Sequence, residues 1–423
     1  MSSSANLPTM RRFFIVTGLV ALLLCGILMA LIESHSRDEA YKKAFSELSE
    51  QAALRANYFL KTLNTDKDKV RFIHSTPPIS GIVRAIENNG KDQLDNTTTQ
   101  QWKQRLQTIF TGFIAANEEI RQIRFIGKAN NGRELVRVER KNGMIRITAE
   151  EDLQEKGQSS YFSEAEKLNK DEIYISAINL NREHNKIETP AWPTYRIAES
   201  VFDSENHFFG FVIINFDAET LLRNLKSDTP NNMQIFLLND TGGYLINPDT
   251  KEEFRYEYDP KSNWKTDSEP VAVDNHKNIF KRKNSPKDDI IYSYSRRIFL
   301  DGPGSRHYLD LHTAFSAEDI ESQLDSIRLK VLLLIAVLLL FAISIAWLYQ
   351  RRIEARMALL TARSTARAII NYSTDAIIGI NPDGKIDSWN SGATVMFGHH
   401  EQTVIGKTLF NTILDSNNQQ ITP

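Results

Sequence analysis

Residues that could recognise a small molecule are concentrated between positions 171 and 217. The segment contains three aromatic residues, a cation and an acid: Tyr174, Trp192, Tyr195, Arg196 and Asp217. Aromatic rings can form an apolar wall, and an arginine can hold a carboxylate through two parallel hydrogen bonds. The polar run 179–184, which includes Asn181 and Arg182, falls where a strand should end. We therefore expect a ligand pocket here, with the run 179–184 as either a binding loop or a solvated turn.

Arg196 has two possible roles. It alternates with Ala198 and Ser200, so one face of a strand would place the cation beside small residues in a pocket. Alternatively, it forms a surface ion pair with Glu183 or Glu199. The sequence leaves both roles open.

Three other candidates also have structural interpretations. Tyr174 is either a pocket residue or an aromatic side chain packed in a strand. Asp217 directly precedes a predicted helix, so it can cap the N-terminus of that helix, and this role is compatible with ligand binding. Trp192 stands near Pro190 and Pro193, where it can fix the shape of a loop.

No catalytic or metal-binding pattern is found in the chain. The histidines are scattered without metal-ligand spacing, and the single cysteine, Cys25, lies in an apolar run. There is no glycine-rich phosphate loop. We expect no catalytic residue, no metal site and no cofactor, and the net charge of -2 does not favour a nucleic-acid partner.

Two apolar runs, 13–32 and 331–347, flank nearly three hundred polar residues. Each is close to the ~20 residues that cross a bilayer as a helix, and the first is too long for a cleaved signal peptide. Arg11 and Arg12 precede the first run, and five arginines between 351 and 367 follow the second. Because basic residues are retained in the cytoplasm, we expect both termini inside and residues 33–327 outside.

Periodicity predicts the elements that would position the pocket. Helices are expected over 37–74 and 98–117, and three strands over 121–148. The first helix should rise directly from the membrane, and its apolar residues fall near helical spacing: Ala40, Ala44, Leu48, Ala52, Leu54, Tyr58, Phe59 and Leu63. Hairpins with a glycine at the turn recur at Gly132, Gly242 and Gly384, which suggests three copies of one α+β module. No proline or glycine interrupts 316–378, so a continuous helical rod should begin at the cap residue Ser316.

Two stretches resemble known families. The last contains Ile369, Ile370, Asp375, the run 381–390, Ala393, Phe397, Gly398 and Gly406, and on these residues it resembles the start of a PAS domain. The exported region contains Tyr161, Phe162, the runs 172–176 and 180–183, Pro190, Pro193, Arg196 and the run 209–217. On these residues it resembles the double-Cache, or tandem PAS-like, sensors of bacterial histidine kinases, diguanylate cyclases and chemoreceptors.

The double-Cache resemblance implies roles for particular residues. In amino-acid-binding members, an arginine, an aromatic pair, a later tyrosine and a final aspartate clamp the ligand. Tyr161, Tyr174 and Asp217 match three of these positions. The stretch 156–161 lacks the arginine and tryptophan expected before the first tyrosine, which argues against amino-acid sensing.

The expected architecture is an α+β chain with a long N-terminal helix and two transmembrane helices flanking a double-Cache sensor. Its parts are a cytoplasmic N-terminus (1–12), a membrane helix (13–32), a sensor (33–327) with a distal module (about 75–225) and a proximal module (about 230–315), a second membrane helix (329–349), a signalling helix (350–367) and the first part of a PAS domain (368–423).

We expect a multi-pass bacterial inner-membrane receptor, the sensory part of a histidine kinase or diguanylate cyclase without its catalytic domain. It would bind a small extracytoplasmic ligand, contact membrane lipid, form a homodimer, and signal through the second membrane helix. The alternative is a membrane-anchored binding or docking protein that does not signal.

Overall fold

The computed structural model describes residues 6–183, 186–230, 232–271, 279–283, 290–302 and 307–413. Its contacts divide the chain into two compact units, Met1–Arg328 and Leu329–Pro423. Helices and antiparallel sheets are combined along the chain, which confirms the predicted α+β class.

The first helix, α1 (Asn6–His74), continues without interruption from the first apolar run into the polar region. This confirms the predicted helix over 37–74 that rises directly from the membrane segment. A second helix, α2 (Pro77–Glu87), begins at two prolines, which fit a first helical turn because its N–H groups need no helical partner. Two helices, Gly18–His74 and Ala317–Tyr372, are long and apolar enough to cross a membrane.

The first module of unit 1 follows α2. Its elements are β1 (Lys91–Asp92), β2 (Thr97–Thr98), α3 (Thr99–Ala116), β3 (Ile120–Gly127), α4 (Ala129–Gly132), β4 (Glu134–Lys141), β5 (Met144–Ile147), α5 (Ser160–Ala165), β6 (Ile173–Ile175), β7 (Asn179–Leu180), β8 (Arg182–Glu183), β9 (Lys186–Ile187), β10 (Pro193–Phe202), β11 (Phe208–Asp217) and α6 (Ala218–Lys226). One sheet has the order β5-β4-β3-β11-β10-β6, and β7 also pairs with β10. The predicted helix over 98–117 and the three strands over 121–148 are confirmed.

The second module contains a smaller sheet. Its elements are β12 (Met233–Leu238), β13 (Tyr244–Ile246), α7 (Trp264–Asp267), β14 (Ser268–Pro270), β15 (Ile279–Arg282), β16 (Ile290–Phe299) and β17 (Tyr308–Ser316). The strand order is β13-β12-β17-β16-β15-β14. The order β4-β3-β11-β10-β6 of the first module is therefore repeated as β13-β12-β17-β16-β15. Gly132 and Gly242 both have positive φ at the hairpin turns, where a residue without Cβ is least strained.

Helix α1 lies against one face of both sheets. Its buried side chains recur every three or four residues, as a helix face in a core requires: Leu48, Ala52, Ala56, Phe59, Leu63, Val70 and Ile73. Two residues predicted for this stripe, Leu54 and Tyr58, are instead exposed. They fall near helical spacing but outside the narrower arc that contacts the sheets.

The second unit contains most of α8 (Ala317–Tyr372), followed by β18 (Ile378–Ile380), β19 (Ile386–Trp389), α9 (Ser391–Phe397), α10 (Glu401–Val404) and α11 (Leu409–Ile413). Ser316 caps α8 by accepting a hydrogen bond from the N–H of Asp319 at 3.2 Å, as predicted. Asn390 caps α9 and donates to the carbonyl oxygens of Ile370 and Asp375, each at 2.8 Å. It thereby joins the end of α8 to the hairpin. Residues after 413 in the predicted PAS segment lie outside the described part.

Gly81 on α2 and Gly112 on α3 give a matched test of the packing between these two helices. A Cβ at Gly81 would lie 2.4 Å from the Trp102 indole, whereas a Cβ at Gly112 would meet nothing within 4 Å. We expect Gly81→Ala to lower the free energy of unfolding by about 1–3 kcal/mol through overpacking. Gly112→Ala should raise it by about 0.5–1 kcal/mol, because alanine is favoured in a helix interior. Urea unfolding of the full chain in nanodiscs measures both changes. Equal changes in the free energy of unfolding would contradict the close contact between Gly81 and Trp102.

Candidate functional site

The face of the first sheet that points away from α1 carries a cluster of charged side chains. Arg196 on β10 lies directly opposite Asn215 on β11, and Arg124 on β3 lies opposite Ile213 on β11. Cross-strand partners share a face of the sheet, so these two arginines lie on the same side. Apolar residues including Ile126, Phe162, Tyr174, Ala198, Phe211 and Ile213 form the core beside them.

Tyr161 on α5 lies between the two arginines. The guanidinium carbons of Arg124 and Arg196 are 5.3 and 5.8 Å from the centre of its ring. Arg124 also donates a hydrogen bond to the Tyr161 hydroxyl at 3.1 Å. Although burial opposes the change, the charges of Arg124 and Lys156 lower the pKa of Tyr161 below its usual value. The tyrosine is therefore surrounded by positive charge.

Arg124 has its own acidic and polar partners. Its Nη1 is 3.5 Å from Glu134 Oε1, and its Nη2 donates to Asn215 Oδ1 at 2.9 Å. Glu134 also accepts a hydrogen bond from the N–H of Gln154 at 3.1 Å. Because both charged side chains are almost fully buried, each is needed to offset the desolvation of the other.

Arg137 is similarly paired. It donates to Glu139 at 2.5 Å and to Glu183 at 3.2 Å. Burial opposes ionisation of Glu183, but the charge of Arg137 outweighs it and lowers the pKa of Glu183. The carboxylates of this cluster are therefore already engaged by cations.

Arg196 differs from the other two arginines. It is 8% exposed, and it donates to two neutral oxygens, Asn179 Oδ1 at 3.1 Å and Asn181 Oδ1 at 3.0 Å. Among the described residues, no carboxylate lies within 4.0 Å of its guanidinium. Burial and the nearby charge of Arg124 lower the pKa of Arg196 to about 10, so it stays charged at neutral pH. A buried cation held only by neutral groups can still gain an anionic partner.

Within this cluster, Lys156 is the second cation without an acidic partner among the described residues. Its Nζ donates to Gln154 Oε1 at 2.5 Å, and burial lowers its pKa. Around Tyr161, the cations Arg124, Arg137, Lys156 and Arg196 outnumber the carboxylates Glu134, Glu139 and Glu183. One positive charge therefore remains unbalanced among the residues that the structure describes here.

The structure brings together some of the residues predicted from sequence. Tyr161, Asn181 and Arg196 meet in the cluster, and Tyr174 packs on the same face, where burial raises its pKa to about 12. The surface ion pair considered for Arg196 is wrong. Its proposed partners are engaged elsewhere, Glu183 by Arg137 and Glu199 by His74, whose Nδ1 lies 3.6 Å away.

The other four predicted residues, Arg182, Trp192, Tyr195 and Asp217, lie outside the cluster, and Tyr195 donates from the opposite face of β10 to Asp66 of α1. Arg182 donates to Glu257 of the second module at 2.9 Å. Trp192 donates to Glu188 at 2.9 Å, in the same loop. Asp217 caps α6, as predicted, by accepting from the N–H of Glu219 at 2.8 Å, and it also pairs with Arg121. The predicted run 179–184 ends at His184, which lies outside the described residues.

Sequence reasoning missed most of the cluster's charged members. Arg124, Glu134, Arg137 and Lys156 come from strands and a loop before the segment 171–217. Arg124 does carry a signal, because it interrupts an apolar strand and cannot be buried without partners. The described residues contain no group of three histidine, cysteine or acidic side chains that could hold a metal ion.

The chain was compared with known proteins. Residues 83–271 match the family model for the sensor domain of bacterial histidine kinases, and residues 365–422 match the PAS fold. No curated protein matches the chain. These matches define a signal-transduction receptor in which a sensor domain precedes a PAS domain. The sensor is of the bacterial histidine kinase type, and with the two apolar helices it indicates an inner-membrane protein with an extracellular sensor.

Solved structures with similarity to the chain are also sensors. The extracellular domain of a protein assigned as a histidine kinase, vpHK1S-Z8, is 16% identical, with 69% of this chain and 96% of that chain covered and a TM-score of 0.49. A domain of a sensory box/GGDEF family protein from Vibrio parahaemolyticus is 16% identical, with 67% and 99% covered and a TM-score of 0.46. The ligand-binding domain of the Campylobacter jejuni chemoreceptor Tlp3, solved with L-valine, is 12% identical, with 67% and 97% covered and a TM-score of 0.44.

The buried pair of Arg124 and Glu134 can be tested by neutralising the acid. We expect Glu134→Gln to lower the free energy of unfolding by about 3 kcal/mol, because Arg124 is left buried without a counter-charge. The matched control is Glu166→Gln, which removes a surface pair with Lys128 and should change stability by less than about 1 kcal/mol. Urea unfolding of the full chain measures both. A loss no larger than that of the control would contradict the role of Glu134.

Proposed function

We propose that this receptor senses a small carboxylate that lacks an amine, bound in the first module beside Arg196. The observation that carries the proposal is a buried guanidinium held by Asn179 and Asn181 but by no carboxylate in the described part of the chain. The nearby Lys156 and the Tyr161 hydroxyl add further donors. A carboxylate ligand would balance the charge and replace neutral acceptors with a bidentate partner.

The absence of an amine follows from the acids around the site. An ammonium group needs a free carboxylate or carbonyl acceptor, but Glu134, Glu139 and Glu183 are all engaged by arginines. Asp217, the residue that the double-Cache resemblance would assign to the ammonium, is paired with Arg121. This supports a simple carboxylate rather than an amino acid.

Two contacts could carry ligand occupancy out of the pocket. Tyr195, next to Arg196 in sequence, faces the opposite side of β10 and donates to the buried Asp66 of α1. The loop that holds Arg196 is also tied to the second module, because Glu257 accepts from the N–H of Leu180 at 3.1 Å and from Arg182 at 2.9 Å. A ligand that repositions Arg196 would thus act on both α1 and the second module.

The remaining expectations on membrane topology and assembly complete the proposal. Both termini lie in the cytoplasm, residues 33–327 lie outside, and the apolar helices contact lipid, as the distribution of arginines supports. We also propose a homodimer, supported by exposed apolar residues on α1 (Leu54, Phe72) and α8 (Met357, Leu360). We also propose the domain boundaries expected from the sequence, with the distal module over about 75–225 and the proximal module over about 230–315.

Ligand binding is tested with the full chain in nanodiscs by isothermal titration calorimetry, with pyruvate, succinate and alanine as probes. We expect pyruvate or succinate to bind and alanine not to bind. Arg196→Gln should weaken binding by about 2 kcal/mol or more, which is about thirtyfold in Kd. Arg146→Gln changes an exposed arginine on β5 and should leave binding unchanged. Binding of alanine alone would overturn the amine-free class, and equal Kd values for the two variants would overturn the site.

The contact of Glu257 with the pocket loop is tested separately by hydrogen exchange. In the wild-type chain, a bound carboxylate should change amide exchange in residues 253–258 of the second module. In Glu257→Ala, binding should persist but this distant change should be lost. Glu269→Ala removes an exposed acid of the same module, paired with Lys283, and should retain the change. An unaltered response in Glu257→Ala would show that occupancy does not pass through this contact.

A further inference from the structure

A cavity of about 470 Å³ opens on the sheet of the second module, on the face that points away from α1. Its walls include Trp264, Arg297, Tyr308, Asp310 and His312. Strands β12, β17 and β16 have the same order as β3, β11 and β10, so the cavity corresponds in position to the arginine cluster of the first module. The carboxylate site proposed above does not include any of these residues.

Two aromatic rings form the base of this cavity. The rings of Trp264 and His312 lie 4.6 Å apart between centres, and Trp264 also packs edge-on against Phe236 and Phe280. His312 is 7% exposed, and its Nδ1 lies 3.0 Å from the hydroxyl oxygen of Ser293. Among the described residues, neither Nε2 of His312 nor Nε1 of Trp264 has a hydrogen-bond partner. Each of these atoms can therefore gain stabilisation from a polar group of a ligand.

Two charged groups at the mouth of the cavity, Arg297 and Asp310, pair with each other, and Lys265, which also lines the cavity, is exposed. Arg297 forms two hydrogen bonds with Asp310, at 2.8 and 2.9 Å, and lies 3.8 Å above the Tyr308 ring. Asp240 lies 3.2 Å from His307. Burial lowers the pKa of His312 to about 4, so this side chain is neutral near pH 7. A charged ligand would find no buried unpaired counter-charge here, in contrast with the first module.

We propose that this cavity is a second ligand-binding site, and that it takes a small uncharged nitrogen heterocycle. A flat ring can pack against the Trp264 and His312 rings at the base of the cavity. Its ring N–H, ring nitrogen or carbonyl can then reach His312 Nε2 and Trp264 Nε1. A sugar brings a hydroxyl on nearly every carbon, and the base of the cavity has too few unpaired polar atoms to satisfy them.

The site is tested by titrating the full chain in nanodiscs with adenine, uracil and nicotinamide. Ser295→Trp places a large side chain at an exposed position that lines the cavity, and it should weaken binding by about tenfold or more by occupying the space. Arg296→Trp is the matched control, because the next residue in a strand points to the other face and is also exposed. Its Kd should stay within about twofold of the wild-type value.

A second variant tests the hydrogen-bonding groups without filling the cavity. His312→Phe keeps a ring in the core but removes its nitrogens, so heterocycle binding should weaken about tenfold. The buried Ser293 hydroxyl loses its Nδ1 partner in this variant, so the melting temperature should fall by about a few degrees while the chain stays folded. Arg196→Gln should leave heterocycle binding intact, which separates this site from the carboxylate site. The proposal is overturned if none of the three heterocycles binds, if Ser295→Trp binds them as tightly as Arg296→Trp, or if glucose alone binds in a manner sensitive to Ser295→Trp.

Discussion

The packing of one continuous helix against two sheets is the constraint on which the rest of unit 1 depends. Apolar side chains of α1 from Leu48 to Ile73 are buried against both modules. Polar contacts hold the helix at two levels, since Thr313 donates to the carbonyl oxygen of Leu48 at 2.9 Å and Tyr195 donates to Asp66. Displacing either sheet along the helix would expose apolar surface and break these bonds, so the modules and α1 are energetically coupled.

The same arrangement leaves one face of each sheet free of contact with α1, and these two faces differ in charge. In the first module, buried cations outnumber the carboxylates around Tyr161 in the described part of the chain. In the second, Arg297 is matched by Asp310, and the buried imidazole of His312 is neutral. Two modules with one strand order can therefore favour ligands of different charge, because the side chains on the free face, and not the strand order, determine the local electrostatics.

Strand β10 places the residue proposed for recognition beside the residue that contacts α1. Successive side chains in a strand point to opposite faces, so Arg196 enters the charged cluster while Tyr195 contacts α1. The asparagines that hold Arg196 belong to a loop that is also bonded to Glu257 of the second module. A displacement of the Arg196 guanidinium can therefore reach α1 through the adjacent Tyr195, and the second module through the loop that contacts Glu257.

The sequence by itself determined the elements whose signals are local. Apolar length predicted the two membrane-type helices, which belong to α1 and α8, and periodicity predicted α3 and the polar part of α1. The positive φ at Gly132 and Gly242 follows from turn residues within a few positions. It also predicted the cap at Asp217, because the acid and the helix N-terminus are adjacent. The apolar stripe predicted from the sequence of α1 was too wide, because Leu54 is exposed. Spacing alone does not show which part of a helix face meets a sheet.

Only the tertiary structure decided which side chains form the site. Arg124, Lys156 and Arg196 are separated by tens of residues, and strand register and burial bring them to one tyrosine. Arg182, one residue from Asn181, faces the second module instead. Whether a charge is compensated depends on partners distant in sequence, so the unpaired cation could not be recognised from local patterns.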